Sequence, residues 1–322
     1  MAFQPKQITK YQAEHLAELQ GDVSEQAIKF TLNLIPAFAD NDVVHDNACG
    51  SGVVTETIMT LPPPSVRIHA TDINAQFMQG VAALVEKNKW PVTTAVMSAQ
   101  ELDFPDNKFT HSFTSFAFHC LGDHDAAAKQ VYRTLKPGGT AIASIWIFMP
   151  HVDALQHAHW RTRGRDGPMP TLLPLEGFQE ADLRKALEAG GFKAENITCS
   201  NKDCYLSIPD IKRWAQLAWS YLGTLPSGWS QNDEDKWSEV IDDIVEQLES
   251  GDGISKNEAG ETVLKMVACV AAAQKQASGS RCHCAVPSVA YRLLLLEHIT
   301  LVYLYSESSN QELLQMTRGF QT

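Results

Sequence analysis

The stretch Val43-Val44-His45-Asp46-Asn47-Ala48-Cys49-Gly50-Ser51-Gly52 runs a short apolar segment into a glycine-containing turn, and a helical pattern from Val53 to Leu61 follows at once. Glycine tolerates positive φ and lets a ligand approach the backbone closely. A helix that opens on such a turn aims its unpaired N–H groups at whatever sits there. Outward from this corner, Val66 to Thr71 reads as a strand ending at Asp72, and Asn74 to Lys89 as a helix capped by Asn74. Thr93 to Met97 and Phe109 to Phe118 read as strands, Asp123 to Leu135 as a helix stopped by Pro137-Gly138-Gly139, and Thr140 to Ile147 as a strand. Strand and helix alternate, which predicts a doubly wound α/β fold with a mostly parallel sheet. Right-handed crossovers then bring the strand C-termini to one edge, where ligands bind.

The flanks are less regular. Residues 11–38 carry apolar positions at helical spacing (Leu16, Leu19, Val23, Ala27, Phe30) and predict one helix. Residues 148–190 read as loop and helix rich in His, Pro and Trp. Phe192 to Ser207 and Thr262 to Ala273 read as strands, and Asp210 to Tyr221 and Asp235 to Glu249 as amphipathic helices. Ser278-Gly279-Ser280 reads as a linker, and 278–322 as a tail of different texture to which no role is assigned. The expected organisation is one domain over 1–277, with segments 1–40, 41–147 and 148–277.

The chain has 26 Lys and Arg against 38 Asp and Glu, a formal charge of −12. An acidic surface repels phosphate backbones, so no nucleic-acid partner is expected. Arg161, Arg163 and Arg165 form the densest basic run and read as a solvated loop. Seven cysteines are an odd, scattered set that predicts no disulfide framework, and Cys282-His283-Cys284 is too tight for a zinc site. The N-terminus shows no secretory pattern, and Tyr291 to Tyr305 is broken by Arg292, Glu297 and His298. A cytoplasmic protein without a membrane partner is the expectation.

Asp72 lies 20 residues past Gly52, at a strand end where a carboxylate can accept both ribose hydroxyls of an adenosine. Nicotinamide cofactors and S-adenosylmethionine (SAM) share that geometry. The nicotinamide fingerprint wants a third glycine three residues after Gly52, where Thr55 stands. Asp46 would repel a pyrophosphate and attract the ammonium and sulfonium of SAM. SAM is therefore the expected cofactor, with a nicotinamide-dependent oxidoreductase as the rival.

Asp46-Asn47-Ala48-Cys49-Gly50-Ser51-Gly52 resembles motif I, D-x-G-x-G-x-G, of the class I SAM-dependent methyltransferases, with Ala48 at the first glycine. Met97 to Leu102 followed by Phe104-Pro105-Asp106-Asn107-Lys108-Phe109 resembles the G-D-A-x-x-L-P-F-x-D-x-x-F segment of the ubiquinone/menaquinone-type branch. There Ser98 replaces the adenine-binding acid. Leu135-Lys136-Pro137-Gly138-Gly139 resembles that branch's L-K-P-G-G turn. Within the family the chain is similar to fungal secondary-metabolite methyltransferases, the thiomethyltransferases of gliotoxin-like dithiols among them. The resemblance implies a seven-stranded Rossmann-like sheet and an N-terminal helical lid over 1–40 containing Tyr11. It places the cofactor on Tyr11, Asp46, Asn47, Ala48, Gly50, Gly52, Asp72, Ile73, Ser98, Ala99, Gln100, Ser115 and Phe116, and an acceptor lid within 148–277. It implies methyl transfer to a sulfur, nitrogen or oxygen of a small molecule in secondary metabolism. A non-catalytic SAM-fold regulator or scaffold is the alternative.

Methyl transfer from a sulfonium is an in-line displacement, so alignment does most of the work, and a base is needed only for a protonated acceptor. His119, just past the strand ending near Phe118, is the first candidate base, and His124 the second. His151, His157 and His159, with Trp146, Phe148, Met149 and Trp160, suggest an aromatic acceptor pocket. His157 and His159 cannot share one helix face, so no metal site is expected. Ser115-Phe116-Ala117-Phe118 stands where nucleic-acid amino methyltransferases carry Asn-Pro-Pro-aromatic. Truncation at residue 277 is expected to leave SAM affinity nearly unchanged, as isothermal titration would show. A large loss would place the tail in the folded core.

Overall fold

Strand β1 (Val43–Asn47) is central because it is buried along its whole length: all five residues, polar ones included, are out of solvent. The computed structural model describes residues 3–10, 13–61, 65–170 and 177–277. Tyr11, the Cys282-His283-Cys284 run and the tail lie outside the described residues.

β1 is flanked in parallel by β2 (Arg67–Asp72) and β4 (Phe109–Ser115). β3 (Val92–Val96) and β5 (Leu135–Phe148) extend the parallel run on either side. β8 (Thr262–Gln274) adds antiparallel to β5, and β6 (Ile197–Ile208) antiparallel to β8. Among the described residues the order is β3-β2-β1-β4-β5-β8-β6, with a short β7 (Ile254–Lys256) pairing to β8. This strand makes eight, one more than expected; it takes the side of β8 that β5 leaves open beyond Val267. The order reverses between β1 and β4, the switch point at which open α/β sheets bind ligands.

Period-two alternation assigns the faces. Ala141, Ala143 and Ile145 pack with α5 (His124–Thr134) and α7 (Glu180–Gly190), whereas Val44, Phe113 and Ile142 pack with α2 (Val23–Leu32) and α3 (Val53–Met59). A third cluster joins α1 (Ala13–Gln20), α2, α6 (Pro150–Arg163), α8 (Ile211–Leu222) and α10 (Trp237–Ser250) to β6 and β8. Helix α4 (Ala75–Asn88) is capped by the Asn74 side chain on Gln76 N, and α5 by Asp123 on Ala126 N, as their sequences foretell.

Three expectations need correction. The helix over 11–38 is two helices, because Gly21 sits at φ 51° between them and α2 ends at Leu32. The strand from Phe109 stops at Ser115, because Phe116 turns to φ 54° and its N–H donates to Ser144 O at 2.8 Å. The basic run is a solvated loop only at Arg165, which lies exposed past α6. Arg161 and Arg163 belong to α6, and the Arg163 side chain is 7% exposed. Its Nε donates to the buried Asp233 at 2.6 Å and its guanidinium stacks 4.6 Å from the Trp219 ring. That knot ties α6 to α8 and to α9 (Gln231–Asp235).

Candidate functional site

The turn after β1 is built from backbone that most residues avoid. Ala48, Gly50 and Gly52 all lie at positive φ (52°, 53° and 87°). Gly52 also has the tightest neighbour, since a Cβ there would stand 3.1 Å from Val81 Cγ2. Ala48 adopts the left-handed conformation where the family pattern has glycine, so the loop survives the substitution.

Two carboxylates hold this loop. Asp46, 1% exposed, accepts through Oδ2 from Thr55 N at 3.0 Å and from Thr55 Oγ1 at 2.6 Å. Thr55, at the sequence level only a missing glycine, is thus the group that orients Asp46. Burial pushes the Asp46 carboxyl up to about 6, against the lowering by Thr55's two hydrogen bonds, and Asp72 adds to the rise. Asp72 accepts from Gly50 N at 2.9 Å through Oδ2 and from Asn74 N at 2.8 Å through Oδ1. It therefore fixes both the glycine loop and the cap of α4, a structural duty its spacing did not reveal. Each of its oxygens keeps a second lone pair for a further donor.

A cavity of about 190 Å³ opens at this corner, lined by Asp46, Ala48, Cys49, Gly50, Ser51, Ser115 and Phe116, and roofed by Gln20 and Ser24 from either side of Gly21. Asn47 Oδ1 and Ser115 Oγ are buried without a partner among the described residues, at the ends of β1 and β4. Asn47 Nδ2 donates to Thr114 Oγ1 at 3.1 Å. Past β2, Ile73 is 73% exposed, an apolar side chain presented at the rim. Past β3, Ser98 Oγ accepts from Gln100 N at 3.2 Å in a tight turn, with Ala99 buried. The structure thus brings Asp46, Ala48, Gly50, Ser115 and Phe116 around one cavity. Asp72, Ile73 and Ser98 to Gln100 stand on neighbouring loops of the same sheet edge.

A second cavity, about 280 Å³, adjoins the first and shares Gln20 and Ser24 with it. Its wall is Leu19, Val23, Trp146, Met149, Trp214 and Met266 among others, with His119 and His151 as its imidazoles. The Phe116 ring of the first cavity stacks on the Trp146 ring of the second at 4.3 Å and 8°. Burial pulls His119 below its ordinary value, with His124 adding to the fall, and pulls His151 down to about 4. In both, burial favours the neutral imidazole. Of the aromatic pocket expected after β5, Trp146, Met149 and His151 are on this wall. Phe148 instead packs under Gly253, Trp160 pairs with Arg165, and His157 Nδ1 bonds Asp243 at 2.8 Å. His124 opens α5 against Phe178.

A methyltransferase domain family matches residues 44–139. The chain is 27% identical over 245 residues to methyltransferase tpcH of Aspergillus fumigatus, covering 72% of this chain and 84% of that one. It is 30% identical over 179 residues to acetylaranotin bis-thiomethyltransferase of Aspergillus terreus, covering 52% of this chain and 59% of that one. In fold it matches YcgJ protein from Bacillus subtilis with a TM-score of 0.51 at 14% identity, over 78% of this chain and 99% of that one. Sheet order, glycine turn, paired carboxylates and the matched domain agree: residues 44–139 carry a methyltransferase domain, on the fold expected of a SAM-dependent methyltransferase.

Proposed function

We propose that the chain methylates a small, uncharged, largely apolar molecule, within secondary metabolism, with SAM in the first cavity and the acceptor in the second. The observation that carries this reading is the pair of adjoining cavities, joined over Gln20 and Ser24 and divided by the Phe116–Trp146 stack. Among the described residues no Lys, Arg, Asp or Glu lines the second cavity, so a charged acceptor would lose its hydration without a counter-charge there.

The residues fit the cofactor. Asp46 faces the cationic end, and the unpartnered Asn47 Oδ1 and Ser115 Oγ give an ammonium or a carboxylate something to bond. The open backbone at Ala48, Gly50 and Gly52 admits the ligand. Asp72 takes the ribose hydroxyls, Ile73 covers one face of the adenine, and the Ser98-Ala99-Gln100 turn supplies its polar edge. SAM supplies an activated methyl on a sulfonium. The protein's part is to hold the acceptor in line with it and keep water out. No helix among the described residues is long and apolar enough to cross a membrane.

The test is titration with SAM, S-adenosylhomocysteine and NAD in parallel, then transfer of labelled methyl to a panel of neutral thiols, phenols and amines. Micromolar binding of the first two and labelled product from at least one acceptor are expected. Binding without any transfer would move the reading to a regulator. Asp72→Ala is expected to weaken SAM by about 1–3 kcal/mol, because it removes charge-assisted hydrogen bonds and frees two backbone N–H groups of the loop. Unchanged affinity would remove Asp72 from the ribose.

A further inference from the structure

His151 is the odd group in the wall of the second cavity. It stands in the first turn of α6, its ring edge-on to Trp214 at 5.7 Å, among Val152, Met149 and Met266. Two other polar groups of that wall are engaged elsewhere: Trp214 Nε1 donates to Leu19 O at 3.2 Å, and Tyr221 Oη donates to Lys10 O at 3.2 Å and bonds His15 at 3.0 Å. His151 Nδ1, in contrast, is buried with no hydrogen-bond partner among the described residues. Among the described residues packing alone holds the ring. A neutral imidazole carries one N–H and one lone pair, and leaving such groups unpaired in an apolar wall is unfavourable unless a ligand completes them.

We propose that His151 receives the hydrogen of the acceptor's nucleophile, and that the acceptor is therefore a neutral aromatic molecule methylated on a hydroxyl rather than on carbon. The inference rests on the second cavity being the acceptor site. The aromatic body lies among Trp146, Trp214, Met149 and Met266, and the hydroxyl reaches the imidazole. As the oxygen lone pair forms the new O–CH3 bond, the C–S bond breaks and its electron pair stays on sulfur. The hydroxyl proton passes to the imidazole lone pair, from which water takes it after product release. Of the two imidazoles among the described residues of this wall, His119 also faces a neighbouring cavity bounded by Phe178 and Asp182, and His151 does not.

The experiment compares 2-naphthol with 2-methoxynaphthalene, which has no hydrogen to give, by isothermal titration into protein saturated with S-adenosylhomocysteine. Wild type should prefer the naphthol about fivefold, the worth of one net hydrogen bond. His151→Phe should bring the ratio to about one, His151→Gln should keep part of it, and His119→Phe should leave it unchanged. S-adenosylhomocysteine affinity, measured on each variant, reports on folding and on the cofactor site. A ratio of one in wild type, a preference that survives His151→Phe, or one that vanishes with His119→Phe overturns the assignment. So does failure of both naphthalenes to bind a protein that still binds S-adenosylhomocysteine, while the cofactor assignment would stand. Absent S-adenosylhomocysteine binding in wild type would remove the cofactor cavity and this inference with it.

Discussion

Replacing His45 with leucine should flatten the loss of stability in mild acid. His45 is fully buried in β1, stacked on Phe109 at 4.7 Å and 12°, with Phe104 edge-on at 5.3 Å and Nε2 bonded to Thr71 Oγ1 at 2.9 Å. Burial, with His69 and Lys108 adding to it, lowers its pKa from 6.5 to about 3. The folded chain refuses a proton that the unfolded chain accepts below pH 6.5. Stability from this group is therefore complete above pH 6.5 and is lost progressively as pH falls toward 3. The full span is about 4–5 kcal/mol, of which about 2–3 kcal/mol is gone by pH 4.5. Against a total stability of about 5–15 kcal/mol, one histidine decides much of the acid limit. Urea unfolding at about pH 7 and pH 4.5 measures it: the wild-type free energy should drop by about 2–3 kcal/mol more than that of His45→Leu. His69, lowered to about 4 by burial and by the charges of Lys108 and Arg67, keeps some slope in the variant. Parallel losses in the two proteins would mean that His45 takes up its proton without unfolding the strand.

Nothing in the linear pattern distinguishes this histidine from those of the cavities, and the difference shows what a sequence conveys. The parallel core was legible because its signals are local: apolar runs of strand length, Asn74 and Asp123 as caps, and proline or glycine at the stops. The break at Gly21 was hidden because the apolar spacing continues across it, so the period alone could not show the positive φ that divides the two helices. The positive φ at Phe116 was invisible for a related reason, since an aromatic residue gives no hint of a left-handed turn that its hydrogen bond to Ser144 enforces. Asp46 and Asp72 could be picked out by place. Their partners Thr55, Gly50 and Asn74 follow only from the closed turn. His151 and Trp214 are 63 residues apart, and their contact comes from helix packing that no motif records.

Asp46→Asn should have two effects of opposite sign, and that opposition separates its role in binding from its role in folding. The carboxyl stands at about 6 because burial disfavours the ion more than Thr55's two hydrogen bonds favour it. An acid whose pKa is raised on folding destabilises the native state as pH climbs from about 4 to 6, and the cost then stays constant. Here it is at most about 3 kcal/mol at neutral pH. The asparagine amide oxygen can accept the same two hydrogen bonds from Thr55 without a charge, so the ligand-free variant should unfold later than wild type. A bound sulfonium and ammonium reverse the balance by stabilising the carboxylate. Losing that charge should weaken SAM by about 2 kcal/mol, some thirtyfold. The sign of the pH dependence follows from the same linkage. Wild-type affinity for SAM should fall as pH drops below about 6, where the empty site takes up a proton that the cation must displace, and affinity in Asp46→Asn should be flat between about pH 5 and 7. Thermal unfolding without ligand and titration across that pH range give both halves. A variant that loses stability as well as affinity would mean that the ionised carboxylate holds the turn after β1 together, and a wild-type affinity independent of pH would place the cation away from Asp46.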